Sequence, residues 1–168
     1  MKLRFKNQQF QADAANAVCN VFVGQPFRTP TYMMDPGNAP GQLTHINDAT
    51  GFGNAPIVID DDKVLYNIRN IQRKGQIEPS VNLAGRFNLT IEMETGVGKT
   101  YTYIKTMYEL NKRYGWSKFI IAVPSVAIRE GVYKSFQMTE EHFRAISGKN
   151  VVYDVVDSYD KLWELVQG

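Results

Sequence analysis

The chain has one cysteine, Cys19, and two histidines, His45 and His142, set far apart. One thiol cannot make a disulfide within the chain, and no cysteine cluster is available to hold a metal. A reducing cytoplasm is therefore the expected location. Long apolar runs are missing as well: nothing approaches the roughly 20 consecutive apolar residues of a membrane helix. The basic opening, Met1-Lys2-Leu3-Arg4-Phe5-Lys6, passes straight into Asn7, Gln8 and Gln9 and does not look like a signal peptide. An excess of one charge is lacking too, since 19 Lys and Arg face 17 Asp and Glu for a net +2. Any nucleic-acid face must then be local. With 168 residues, 43% of them hydrophobic, the chain is long enough for one sizeable core. The expectation is a soluble protein of the cytoplasm.

Helical spacing of Phe10, Ala14, Ala17, Val18 and Val21 predicts a helix over residues 9–22, ended by Gly24 and Pro26. Residues 25–60 are rich in Pro, Gly, Asn, Asp and Thr without sustained period and read as an irregular insertion. Asp60 to Asp62 open a second helix whose stripe, Val64, Leu65, Ile68 and Ile71, stops at Gly75. A third runs from near Thr100, striped by Ile104, Met107, Tyr108 and Leu110, to Gly115. Further helices are expected at 127–136, at 140–146 with Thr139 as N-cap, and at 159–166. Three segments read as strands: 88–92 by alternation, 118–123 as an apolar run ending at Pro124, and 151–156. Strands alternating with helices predict an α/β fold with a parallel sheet flanked by helices.

The most informative segment is Met93-Glu94-Thr95-Gly96-Val97-Gly98-Lys99-Thr100. A glycine loop followed by Lys-Thr at a helix mouth is a P-loop. Glycines let the backbone curl and aim N–H groups at phosphate oxygens, and the helix dipole adds positive potential there. Thr95, Gly96, Val97 and Gly98 are the expected cradle; Lys99 reaches the β- and γ-phosphates, and the Thr100 hydroxyl ligates Mg²⁺. The strict pattern has glycine where this chain has Met93, a replacement common among superfamily 2 helicases and translocases.

Two other stretches join the loop in a resemblance. Phe10-Gln11-Ala12-Asp13-Ala14 looks like a glutamine motif, an aromatic followed by Gln-x-x-Ala. Val123-Pro124-Ser125-Val126-Ala127-Ile128-Arg129-Glu130-Gly131-Val132 looks like a motif Ia. Together they resemble the restriction (Res) subunit of type III restriction-modification enzymes, a branch of superfamily 2. The resemblance implies a partial RecA-like domain over 61–168, preceded by a glutamine-motif helix (1–24) and the insertion. It also implies an ATP- and Mg²⁺-dependent motor on double-stranded DNA, an endonuclease when intact, whose partner is a modification methyltransferase subunit. Gln11 becomes the adenine reader, because an amide offers donor and acceptor together, with Phe5 or Phe10 able to stack on the base. Ser125 and Arg129 become candidates for gripping a DNA phosphate. Alternatively, Ser125 caps a helix and Arg129 pairs with a neighbouring acid.

An acidic pair after a second strand is missing. Ile57-Val58-Ile59-Asp60-Asp61 precedes the loop and reads as a helix start, while Asp157 lacks an adjacent glutamate. Competing readings are a stand-alone NTPase or kinase using Asp157, and an ATP-binding regulatory module docking through residues 27–56.

Overall fold

The computed structural model describes residues 8–28, 54–85 and 87–149. The Asp157 and 151–166 expectations, Phe5 and most of the insertion lie outside them. Within the described residues the chain forms four helices: α1 (Gln9–Val21), α2 (Asp61–Lys74), α3 (Lys99–Tyr114) and α4 (Val126–Ser147). Helix α1 packs on both α2 and α3, and α3 carries α4.

Local chemistry sets the ends of these helices. Asp60 is the N-cap of α2, its Oδ1 accepting from the Lys63 N–H at 2.6 Å, with Asp61 and Asp62 in the first turn and Arg73 and Lys74 in the last. Both charge groups complement the helix dipole. Helix α3 stops at Gly115, whose left-handed φ of 79° and the nearby Arg28 carbonyl leave no room for a Cβ.

Two apolar clusters hold the helices together. Val21, Phe22, Ile59, Val64, Tyr114 and Trp116 form the larger, flanked by Ile68, Ile71, Phe87 and Leu110. Here the α2 periodicity becomes burial: Val64 is fully enclosed, worth about 1.5–3 kcal/mol. Apart from Val21, the stripe expected for α1 is not the face it buries: Gln11, Ala15, Cys19 and Val21 are buried, while Phe10 is exposed and Ala14, Ala17 and Val18 are half-buried, because packing on α2 and α3 selects the face. The carbonyls left over at the end of α1 are satisfied from outside. Asn67 Nδ2 donates to the Val21 and Val23 carbonyls, each at 2.9 Å, and the Tyr114 hydroxyl donates to the Cys19 carbonyl at 2.7 Å. Cys19 itself is buried, and that burial pushes its thiol up to about 11 despite Arg113 nearby. The smaller cluster, Ile104, Phe136 and Phe143, joins α3 to α4.

The predicted parallel sheet, and with it the RecA-like α/β reading, is not what the described residues form: none of them lies in a strand. Segments 88–92 and 118–123 are non-helical chain without a ladder. Leu89, Ile91, Phe119 and Ile121 are exposed, and Ile120 is 69% exposed. The physical reason is non-local. Alternation and apolarity describe what a strand would bury, but a strand exists only when another backbone lies beside it to take its N–H and C=O groups. Among the described residues, none supplies that ladder. Residues 117–118 are instead sutured to Asn54, whose Oδ1 accepts from the Ser117 and Lys118 N–H groups at 2.8 and 3.0 Å.

A second correction concerns Thr139. The two helices expected over 127–136 and 140–146 are one continuous α4. Thr139 is buried in its interior and its hydroxyl donates to the Ser135 carbonyl at 2.7 Å. A threonine can cap an N-terminus or bond back one turn. Here Phe136, Thr139 and Phe143, spaced as one helical face, are buried together, and the back-bond satisfies the hydroxyl without a break.

Candidate functional site

Residues 95–98 form a tight turn leading into α3. Gly96 and Gly98 both adopt left-handed backbone, with φ of 84° and 86°, a region L side chains rarely enter. A Cβ at Gly96 would meet nothing within 4 Å, so that side of the loop is open. No acceptor among the described residues takes the N–H groups of Gly96, Val97, Gly98 or Lys99. Thr95 and Lys99 are exposed, and Thr100 is half-buried in the first turn of α3. Free N–H groups at the start of a 16-residue helix, beside an exposed lysine, have the chemistry of an anion site and fit a polyphosphate.

Gln11 reaches this loop from α1. It is 8% exposed, and its Nε2 donates to the Val97 carbonyl at 2.9 Å. The neighbouring glutamines do not: Gln8 and Gln9 are exposed, and Gln9 bonds to Asp13 on its own helix. Phe10 is about half exposed beside it.

Tyr103 stands one turn beyond Thr100. Burial pushes its phenol up, with the Thr100 side chain pulling the other way. The hydroxyl is buried with no hydrogen-bond partner among the described residues, so the two side chains are neighbours that stop short of a bond. Sequence reasoning missed one contact on the same helix. The Tyr101 hydroxyl and His142 Nε2 lie 2.9 Å apart, and the Tyr101 ring is 5.1 Å from that of Phe143. In the sequence His142 stands isolated, far from His45. No residue near His142 in the chain signals the contact, because its partner Tyr101 is 41 positions away and only the packing of α4 on α3 brings the two together. Burial, and then Lys105, lower the His142 pKa from the ordinary value.

At the start of α4, Ser125 is the N-cap, its Oγ accepting from the Ile128 N–H at 3.3 Å. Arg129 pairs with Glu130 at 3.4 Å, and its Nε is buried without a partner among the described residues. The capping and ion-pair roles weighed for these two residues are thus the ones they play within the chain.

No helix among the described residues is long and apolar enough to cross a membrane. Residues 11–158 match the family described as type III restriction enzyme, Res subunit. Among curated proteins, the chain is 35% identical over 146 residues to the Res subunit of the type III restriction-modification enzyme EcoP15I from Escherichia coli. That alignment covers 83% of this chain and 13% of the relative. It is 32% identical over 160 residues to the EcoPI Res subunit of Escherichia phage P1, covering 91% and 15%. A shorter match, 45% identical over 58 residues, is to the StyLTI Res subunit of Salmonella typhimurium, covering 33% and 6%. The chain thus spans only a small part of the length of these relatives. With the family match running from Gln11 through the glycine loop and past Arg129, the chain belongs to the type III restriction enzyme Res subunit family.

Proposed function

We propose that this chain is the ATP-binding portion of a helicase-like restriction subunit that couples ATP hydrolysis to movement on double-stranded DNA. The observation that carries the reading is the loop at the mouth of α3: two left-handed glycines, open N–H groups and an exposed lysine within four residues. In this reading the N–H groups of Thr95, Gly96, Val97 and Gly98 cradle phosphates. Lys99 neutralises charge on the β- and γ-phosphates, and the Thr100 hydroxyl supplies one oxygen to Mg²⁺. Bound Mg²⁺ would withdraw charge from the phosphate oxygens. Mg²⁺ keeps few protein ligands and takes the rest from phosphates and water, so one hydroxyl is a sufficient local contribution. Gln11, from residues 1–24, presents its amide to the adenine edge. Ser125 and Arg129, from residues 61–168, lie at a helix N-terminus suited to a DNA phosphate. The names of the relatives favour a modification methyltransferase subunit as partner, with DNA cleavage belonging to the whole enzyme.

The test is Lys99→Ala. Because Lys99 is exposed and outside both clusters, the variant should melt as the wild type does while losing affinity for ATP·Mg²⁺ and all ATPase activity of the complete subunit. Calorimetry and phosphate release measure the two losses. Unchanged binding and turnover would remove the loop from the nucleotide site.

A further inference from the structure

We propose that Gln11 is a positioning residue for the phosphate loop, acting on phosphate binding whatever base the nucleotide carries. The proposal rests on the P-loop reading above and assigns the glutamine a second task. Its amide is not waiting in an open base pocket: it is buried against the loop and donates to the Val97 carbonyl at 2.9 Å. The peptide unit from Val97 to Gly98 is planar and trans, so its C=O and N–H point in opposite directions. Drawing the Val97 carbonyl toward α1 therefore turns the Gly98 N–H away from α1, and that N–H has no acceptor among the described residues. Without this bond the peptide is free to rotate between two glycine-permitted orientations, one of which removes a donor from the cradle.

Packing at the same place agrees. A Cβ at Gly98 would lie 2.6 Å from Gln11 Nε2, so the amide rests directly against the Gly98 backbone. Gly98 thus serves two ends, a left-handed φ and the close approach of Gln11. The side chain must be long enough to cross from α1 and must end in a donor. Glutamate matches the length but turns an oxygen toward the carbonyl, and alanine leaves a gap. The Val97 bond uses one of the two amide N–H groups, leaving the other and the Oε1 acceptor for an adenine edge. Base reading and loop positioning are compatible on one side chain.

Inorganic tripolyphosphate separates them, because it has phosphates and no base. Its Mg²⁺-dependent affinity is measured for the full chain as wild type, Gln11→Ala, Gln11→Glu and Lys99→Ala, each first shown to be folded by its melting curve. Losing one hydrogen bond to the loop should weaken tripolyphosphate about three- to tenfold in Gln11→Ala. Gln11→Glu should lose at least as much near neutral pH. Its ratio to wild type should recover as pH falls from about 8 to about 5, because a buried carboxyl with a raised pKa is then protonated and donates again. That recovery distinguishes positioning from bulk packing, which a pH change would not restore, and it needs only the isosteric variant to fold. Unchanged tripolyphosphate affinity in the folded Gln11 variants, with loss confined to ATP, would overturn the proposal and leave Gln11 as a base reader. Tripolyphosphate binding that ignores Lys99→Ala would instead overturn the P-loop reading beneath it.

Discussion

The two ends of α3 are built to opposite specifications. At the carboxyl end the chain spends its polar groups on itself: Tyr114 on the Cys19 carbonyl, Trp116 Nε1 on the Ala55 carbonyl at 3.0 Å, and Asn111 on the Trp116 carbonyl at 2.9 Å. Arg113 reaches Asn16 and Asn20 of α1. Around these bonds the Phe22 and Trp116 rings meet edge to face at 5.0 Å. The amino end leaves loop N–H groups without acceptors among the described residues and lysine exposed, and it is contacted by Gln11 on one side and the Tyr101, His142 and Phe143 group on the other. The difference teaches where ligand chemistry can reside. Donors already bonded to protein fix geometry; donors left open can bind an anion, provided neighbouring contacts keep them aimed.

The comparison breaks most visibly at Trp116. Replacing it by alanine should cost about 3–5 kcal/mol in urea unfolding, as for other large aromatic deletions. Because the damage is remote from residues 95–100, tripolyphosphate affinity of the molecules that remain folded should not change. Phe143→Ala should cost less, about 3 kcal/mol, since its cluster has fewer buried members. That variant should also weaken tripolyphosphate, because Phe143 backs the Tyr101 ring just beyond Lys99. Equal phosphate affinities in the two variants would mean that the ends of α3 do not differ in this respect.

Arg129→Ala sharpens the contrast between a spent and an available cation. The Arg129–Glu130 pair is solvent-accessible and worth no more than about 1 kcal/mol, so stability should barely move. If Arg129 leaves Glu130 for a DNA phosphate, the salt dependence of DNA binding by the complete subunit should flatten by about one contact. An unaltered slope would return Arg129 to its ion pair.

The smallest effect concerns His142. Burial, then Lys105, hold its pKa below the ordinary value, so the folded state favours neutral imidazole facing Tyr101 and the unfolded state takes the proton more readily. The stabilisation is therefore complete above the ordinary pKa of about 6.5 and fades as pH drops below it toward the folded value. Urea midpoints should fall more steeply for wild type than for His142→Gln between about pH 7 and about pH 5. Parallel curves would show that this pair carries no pH dependence.

Features governed by neighbours in the chain were legible in the sequence. The start of α2 at Asp60 to Asp62, Gly115 as a stop and the stripes of α2 and α3 each depend on residues within a few positions, whereas the buried face of α1, Gln11, Ala15, Cys19 and Val21, is chosen by its neighbours in space. Features governed by distant partners were not. The apolar run 118–123 carries no information on whether a second backbone lies beside it. Thr139 carries none on whether Phe136 and Phe143 will bury its face. For the site, the loop and Gln11 were readable as types of chemistry, but the bond from Gln11 to Val97 spans 86 positions and only the fold reveals it.

Helix α4 has 22 residues without interruption, about 33 Å of rigid rod. Its buried residues, Phe136, Thr139 and Phe143, run from its middle toward its end, with Val132 packed beside them, while Val126 and Ile128 near its start are exposed. The rod is thus held on α3 from Val132 onward and overhangs with its first turns, and its held part touches the helix turn that follows the glycine loop. A push of a few ångströms at the tip bearing Ser125 and Arg129 would tilt it about that clamp and load Tyr101. Were the helix broken at Thr139, the same push would be absorbed at the joint; unbroken, α4 would act as a lever whose fulcrum lies beside the helix turn after the glycine loop.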